Sequence, residues 1–295
     1  MKIKIDLLKL AIAKDGNLQK IENVINENEN KSDKSLDWLY NTNCQEGEYI
    51  NYPNIFNDTE LKEVSAKDIK SDYKHNYTVI YKGVELGVIQ WEKYGIGNSH
   101  AYFKFNNKVL YCTDWLLYKQ AFKDLKLTID YISKIDLAVD TYANITNSYF
   151  KIISNKNNQI IINGRIIKDR DKLLHSPYFI TYGTLNNPIK EHTIYLETID
   201  KSIIMRGYNK SNEISNNSNK DYIFNPTQYY GDIWRCEVSI NSKQLNKHEY
   251  ENTTPIEFLS KLEDNNFRVH LFKKYLSKLF RYSSKNKKRK TFITI

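Results

Sequence analysis

Lys134-Ile135-Asp136-Leu137-Ala138-Val139-Asp140 alternates acidic and aliphatic positions. Side chains of a strand point alternately to its two faces. The stretch therefore predicts a strand with Asp136 and Asp140 on one face and Ile135, Leu137 and Val139 on the other. Two distant stretches repeat the division. Ile204-Met205-Arg206-Gly207-Tyr208-Asn209-Lys210 presents Arg206, Tyr208 and Lys210 together. Trp234-Arg235-Cys236-Glu237-Val238 presents Arg235 and Glu237, with Trp234, Cys236 and Val238 behind them. With the helical segments between and after them, these strands predict an α+β fold. Its parts are a curved, mostly antiparallel sheet with helices on one side, and a C-terminal helical basic segment.

Working outward, residues 77–81 and 86–91 flank Lys82-Gly83 and predict a hairpin. Further strands are predicted at 101–105, 160–162, 178–183, 192–197, 202–209 and 233–240. The first twelve residues begin with strand alternation, but their Leu-rich continuation fits a helix equally well. Thr113 reads as the N-cap of a helix to about residue 126, with Trp115, Leu116, Ala121, Phe122 and Leu125 on its apolar side. Residues 147–154 read as a short helix. Residues 254–280 read as helical, opened by the capping-box pair Thr254 and Glu257 and broken near Asp264. Residues 26–75 read as an irregular polar insertion, and 211–221 as a polar loop. The expected organisation is a catalytic domain over 1–250 and a helical segment with a basic tail over 251–295.

The 295 residues are 40% hydrophobic, enough for a packed core. Lys and Arg total 44 against 35 Asp and Glu. Ten of the basic residues, and no acidic one, lie in 267–295, which leaves 34 basic against 35 acidic elsewhere. Basicity is thus local to the C-terminal end. The dense run Lys285, Lys287, Lys288, Arg289 and Lys290 fits either polyanion binding or a solubilising tail. Cys44, Cys112 and Cys236 are widely spaced, which supports neither a disulfide framework nor a zinc site. No signal peptide and no run of membrane-span length is read, so a cytoplasmic protein with no membrane partner is expected. The chain lacks a phosphate-binding glycine loop, His-Glu-x-x-His and a Gly-x-Ser-x-Gly elbow. These gaps argue against an NTPase, a dinucleotide enzyme, a zinc protease or an α/β-hydrolase.

Carboxylates, a tyrosine hydroxyl and cations on one surface suit metal-assisted attack on a phosphodiester. The plain alternatives are a solvated acidic edge for Asp136 and Asp140, and an ordinary salt bridge for Arg235 and Glu237. Residues four apart on a strand stand roughly 13 Å apart. One ion reaches both aspartates only if the strand bends. Otherwise one is a ligand and the other orients a cation or a second ligand. A free tyrosine titrates near pH 10, so Tyr208 needs activation, and Arg206 and Lys210 are expected to favour its phenolate.

Taken in order, these segments resemble the Rep_trans (replication initiation factor) family of rolling-circle DNA initiators and related relaxases. KIDLAVD, from Lys134, resembles its R-x-D-x-A-x-D strand. TIYLETIDKSIIMRGYNKSNE, from Thr193, resembles its Y-x-G-x-x-x-S-x-x-x-x-R-x-Y-x-K segment. IWRCEVSI, from Ile233, resembles W-R-x-E-x. AYFKFNNKVL, from Ala101, resembles x-x-I-E-F-N-P-N-K-L. The likeness covers about residues 76–245. It departs from the pattern where Lys134 replaces Arg and where Tyr195 is followed by Leu196-Glu197-Thr198 without the family's Gly, and Gly207 loosens the strand before Tyr208.

The resemblance implies an origin-specific nicking and joining enzyme in the bacterial cytoplasm, with Tyr208 as nucleophile and Tyr195 as runner-up. It implies Asp136, Asp140 and Glu237 as ligands of Mg²⁺ or Mn²⁺, hard ions that suit oxygen donors. Arg206, Lys210 and Arg235 would handle phosphate or the carboxylates. The implied partners are double-stranded origin DNA, single-stranded DNA at the nick, a host helicase and a second copy of the chain. A mobile-element relaxase and a non-catalytic DNA-binding regulator are the alternative readings.

Overall fold

The computed structural model describes residues 1–13, 21, 51–56, 58–64, 72–93, 100–112, 114–168, 179–182, 193–217, 231–248 and 253–284. The expected cap Thr113 and the cationic run Lys285, Lys287, Lys288, Arg289 and Lys290 lie outside them. The fold is α+β, with a mostly antiparallel sheet and helices on one side. The chain divides into two units, Leu7–Ser133 and Met1–Asp6 with Lys134–Ile295.

In the first unit, strands β1 (Lys4–Ala13), β2 (Asn51–Phe56), β3 (Thr59–Glu63), β4 (Tyr73–Tyr81), β5 (Val84–Lys93) and β6 (His100–Phe105) lie in the order β1-β6-β5-β4-β3-β2. Each neighbouring pair is antiparallel. The β4–β5 hairpin turns at Lys82 and Gly83, with φ of 48° and 76°. Two consecutive left-handed residues match the right-handed twist of the flanking strands. β2 and β3 fall inside the stretch read as irregular. Alternation there is confined to a few residues, yet Thr59 and Leu61 are buried. Helix α1 (Asn107–Cys112) is followed by a 3-10 turn (Asp114–Leu117) and α2 (Tyr118–Asp124), in place of one continuous helix. Trp115, Ala121, Phe122 and Leu125 are buried as their spacing predicts, joined by Tyr118. The rings of Phe103, Phe105, Trp115, Tyr118 and Phe122 meet mostly edge to face.

Strand β7 (Ile129–Thr141), like β1, passes from one unit into the other. The second unit continues with α3 (Ile145–Ser154), β8 (Asn158–Ile162), β9 (Arg165–Ile167), β10 (Phe179–Tyr182), β11 (Thr193–Glu197) and β12 (Ile203–Asn209). Then come α4 (Lys210–Asn217), β13 (Trp234–Asn241), α5 (Ser242–His248), α6 (Pro255–Lys261), α7 (Asn265–Leu279) and β14 (Phe280–Ser284). Its larger sheet runs β10-β11-β12-β13-β7, antiparallel throughout, and β14-β8-β9 form a small second sheet.

Helices α3 and α7 pack on β12 and β13. Asn144 caps α3 by accepting from the Asn147 N–H at 2.8 Å, and Ile145, Tyr149 and Ile153 are buried. Thr254 and Glu257 form the expected reciprocal capping box on α6. Asp264 ends one helical run and caps the next, accepting from the Asn266 N–H at 2.9 Å. Arg268 is structural: its Nε donates to the Ile3 carbonyl at 2.9 Å and its Nη1 to those of Leu262 and Glu263. Part of the C-terminal cationic surplus is therefore spent tying α7 to the residue that precedes β1.

Gly207 has a packing reason. A Cβ there would stand 3.0 Å from Ile145 Cγ2, so the missing side chain lets α3 approach β12. Gly207→Val should cost about 1–3 kcal/mol by overpacking. Urea denaturation checks this, and an unchanged midpoint contradicts the close fit.

Candidate active site

The polar residues of β7, β12 and β13 share one face because their register aligns them. Arg206 stands opposite Glu237, Tyr208 opposite Arg235, Arg235 opposite Asp140, and Asp136 opposite Ser239. Directly opposed residues of an antiparallel pair point to the same side. Ile135, Leu137, Val139, Met205, Cys236 and Val238 occupy the other side, toward the helices, and are buried. On β11, Tyr195 is opposite Arg206, which brings the runner-up tyrosine to the same face.

On this face the charges sort into two clusters. Arg235, with no exposed surface, donates from Nε and Nη2 to Asp140 Oδ1 and Oδ2 at 2.7 and 2.9 Å. Its Nη1 donates to Asp6 Oδ1 at 2.6 Å, and Lys4 Nζ donates to Asp140 Oδ2 at 3.0 Å. Against the burial that would raise it, this two-pronged bond and the Lys4 charge hold Asp140 below the usual carboxylate range. In the second cluster Arg206 Nη2 donates to Glu237 Oε1 and lies 3.6 Å from Asp136 Oδ2. Lys134 Nζ is also 3.6 Å from Asp136 Oδ2. The Tyr208 hydroxyl donates to Glu237 Oε2 at 3.3 Å.

Of the three cations expected to handle phosphate or the carboxylates, two are buried on carboxylates. Arg235 is fully buried between Asp140 and Asp6, and so handles carboxylates. Lys210, also buried, donates to Glu213 at 2.5 Å, one turn along α4. The side chain of Arg206 keeps 40% of its surface exposed.

The expectation that Arg206 and Lys210 favour a phenolate is corrected. Both are neutralised by partner carboxylates, and Lys210 Nζ stands 5.7 Å from the Tyr208 ring centre. Burial, reinforced by Glu237 and only partly opposed by Arg235, holds the phenol of Tyr208 well above its ordinary value. Burial also pushes Glu237 up to about 7, with Arg206 pulling the other way. The geometry places the Tyr208 hydroxyl as donor against the Glu237 carboxylate as acceptor, the placement a general base requires.

The three expected metal ligands share a face but not a set of neighbours. Both oxygens of Asp140 are taken by Arg235 and Lys4. Asp136 and Glu237 instead converge on Arg206, and Asp136 Oδ1 is buried with no hydrogen-bond partner. An orphaned carboxylate oxygen beside a second buried carboxylate fits a hard cation. Asp140, four residues along β7, does not belong to that pair. Among the described residues no group of three or more His, Cys, Asp or Glu side chains is arranged to hold a metal.

Lys4 and Asp6, which complete the Arg235 cluster, went unrecognised in the sequence. The available signal was the alternation Ile3-Lys4-Ile5-Asp6, whose isoleucines are buried. Glu213 was missed with α4, because 211–221 reads as loop. Asn209 starts this helix, its Oδ1 accepting from the Asn212 N–H at 3.1 Å.

No family model matches the chain, and no curated protein does. Among solved structures, a rolling circle replication initiator protein from Geobacillus stearothermophilus is similar. The TM-score is 0.38 at 14% identity, over 81% of this chain and 74% of that one. At that score the likeness carries no weight for the activity of this chain. No helix among the described residues is long and apolar enough to cross a membrane.

Proposed function

We propose that the chain is a rolling-circle replication initiator that nicks and rejoins one DNA strand through a phosphotyrosine intermediate. The observation that carries the reading is the Tyr208–Glu237 hydrogen bond, made on a face that also holds a half-exposed arginine. The motif order set out from the sequence supports the same reading.

In this mechanism Tyr208 Oη attacks the scissile phosphorus as its proton passes to Glu237 Oε2. The tyrosyl–phosphate bond forms to the 5′ phosphate and the bond to the 3′ oxygen breaks. That oxygen leaves as an alkoxide, takes a proton from solvent and becomes the free 3′ hydroxyl that primes synthesis, while Glu237 returns its proton to solvent. Joining reverses these steps. Because the phenol is held protonated by burial, deprotonation accompanies attack. Asp140 and Asp6 position β13 by clamping Arg235. Asp136 and Glu237 would hold a Mg²⁺ or Mn²⁺ ion, whose chemistry when bound is to withdraw charge from a non-bridging phosphate oxygen.

The test is conversion of a supercoiled plasmid carrying the replicon's own origin into open circles. Chelation by EDTA should stop it, and Mg²⁺ or Mn²⁺ should restore it. Full activity in chelator removes the metal from the account, and no nicking in any divalent ion favours a non-catalytic DNA-binding regulator.

DNA affinity is assigned to the C-terminal cations. Deleting 285–295 should weaken binding to origin and unrelated duplexes alike. It should also flatten the slope of log affinity against log salt by up to about 4.5, if all five cations meet phosphates. Nicking at saturating DNA should change little. Unaltered binding at every salt concentration identifies a solubilising tail. Selective loss of origin preference shows that this end reads bases.

A further inference from the structure

We propose that Arg206 is an internal substitute for the divalent cation, and that guanidinium and metal ion exclude one another between Asp136 and Glu237. The proposal rests on the reading of that pair as the metal site, and adds a regulation of it.

Three observations carry it. First, both carboxylates are buried, with side chains only 4% exposed, and the arginine that joins them comes from a third strand. Two buried carboxylates that meet on one group stay ionised together only with a cation between them, because burial favours the neutral forms and each charge disfavours the other. Arg206 supplies that charge. Second, the site is incompletely satisfied with the arginine in place. Asp136 Oδ1 and Arg206 Nε are both buried without hydrogen-bond partners. A planar guanidinium bound through Nη2 leaves one oxygen of Asp136 unserved, whereas a small divalent ion takes oxygen ligands without that directional limit. Third, the arginine has somewhere to go. Its side chain is 40% exposed, while its two partners are covered.

The charge balance makes the two cations alternatives. Lys134 Nζ already lies 3.6 Å from Asp136 Oδ2. A divalent ion added beside both Arg206 and Lys134 would bring four positive charges to two carboxylates. Entry of the ion therefore expels the guanidinium. The displaced arginine turns outward on the face that carries Tyr208, where it can meet a phosphate oxygen in a forked, charge-assisted contact. The same side chain then closes the site in the absence of metal and serves the substrate in its presence.

The test is binding of Mn²⁺ alone, by electron paramagnetic resonance of the free ion and by calorimetry. Wild type is compared with Arg206→Gln, Arg206→Lys, Asp136→Asn and Glu237→Gln at one fixed pH. Removing a competitor held by a charge-assisted bond should tighten Mn²⁺ binding to Arg206→Gln by roughly tenfold or more. Arg206→Lys, which keeps the charge and leaves no bare carboxylate pair, should fall between the two. The two carboxylate variants should lose the site. A larger rise in melting temperature with Mn²⁺ for Arg206→Gln than for wild type supports the same conclusion from folded protein. Weaker or equal binding to a folded Arg206→Gln overturns the substitution, since an arginine that merely organises the carboxylates would cost affinity when lost. If that result comes with wild-type binding that depends on Asp136 and Glu237, the metal reading survives without the latch. If no variant binds Mn²⁺, both fall. Tighter binding to Arg206→Gln in a protein that never nicks DNA keeps the latch and rejects the nicking function.

Discussion

Tyr208→Phe should abolish nicking, by roughly 10⁴-fold or more, while leaving the fold and DNA affinity in place. The substitution removes one oxygen and one hydrogen bond of 3.3 Å to Glu237. A long bond of this kind is worth about 1 kcal/mol or less to stability. Its removal frees Glu237 from an acceptor role without exposing it. A structural tyrosine would show a change of stability and a modest effect on rate. A nucleophile shows the opposite division, so chemical denaturation and nicking measured on one preparation separate the two. Retained nicking by a folded Tyr208→Phe protein assigns the attack elsewhere, with Tyr195 on the neighbouring strand next in line.

Arg235→Met should destabilise the protein by about 3–5 kcal/mol, the largest stability effect expected of any single site here. The guanidinium is fully buried, and it satisfies both oxygens of Asp140 and one of Asp6. Methionine fills most of the volume but strands the carboxylates. The loss should depend on pH. In wild type the folded Asp140 titrates below its unfolded value, so its stabilising contribution is present above the unfolded carboxylate pKa and disappears as pH falls through the lower folded one. Without Arg235 burial dominates, the folded pKa rises, and protonation in mild acid relieves the variant. The gap between wild type and variant should therefore narrow as pH falls toward about 4. Urea titrations at several pH values measure it. A gap constant with pH means that Arg235 contributes through packing alone.

The sequence made the faces legible but not the pairings across them. Period-two alternation in KIDLAVD, IIMRGYN and WRCEV is enough to say that Asp136, Asp140, Arg206, Tyr208, Arg235 and Glu237 point the same way. It is silent on register. Which cation meets which acid depends on Arg235 standing opposite Asp140, and Arg206 opposite Glu237. A two-residue slip would keep every face and exchange every partner. The split of the expected three-carboxylate site follows from that register and from the spacing of Asp136 and Asp140 along one strand. Lys4 and Asp6 were missed for a different reason: the alternation Ile3-Lys4-Ile5-Asp6 marks their face, but their partners Asp140 and Arg235 lie far along the chain. Capping signals were strong guides, as Thr254–Glu257 and Asp264 show. α4 was hidden because its residues are almost all polar and only the Asn209 cap announces it.

The most direct test of the central claim is the site of covalent attachment. The full-length protein is incubated with the single-stranded origin oligonucleotide and a divalent ion, denatured, digested with nuclease and protease, and analysed by tandem mass spectrometry. The account predicts a nucleotide mass on the peptide carrying Arg206 to Lys210, localised to Tyr208 and absent from Tyr208→Phe. A nucleotide on Tyr195, or nicked DNA with no tyrosine adduct at all, contradicts it.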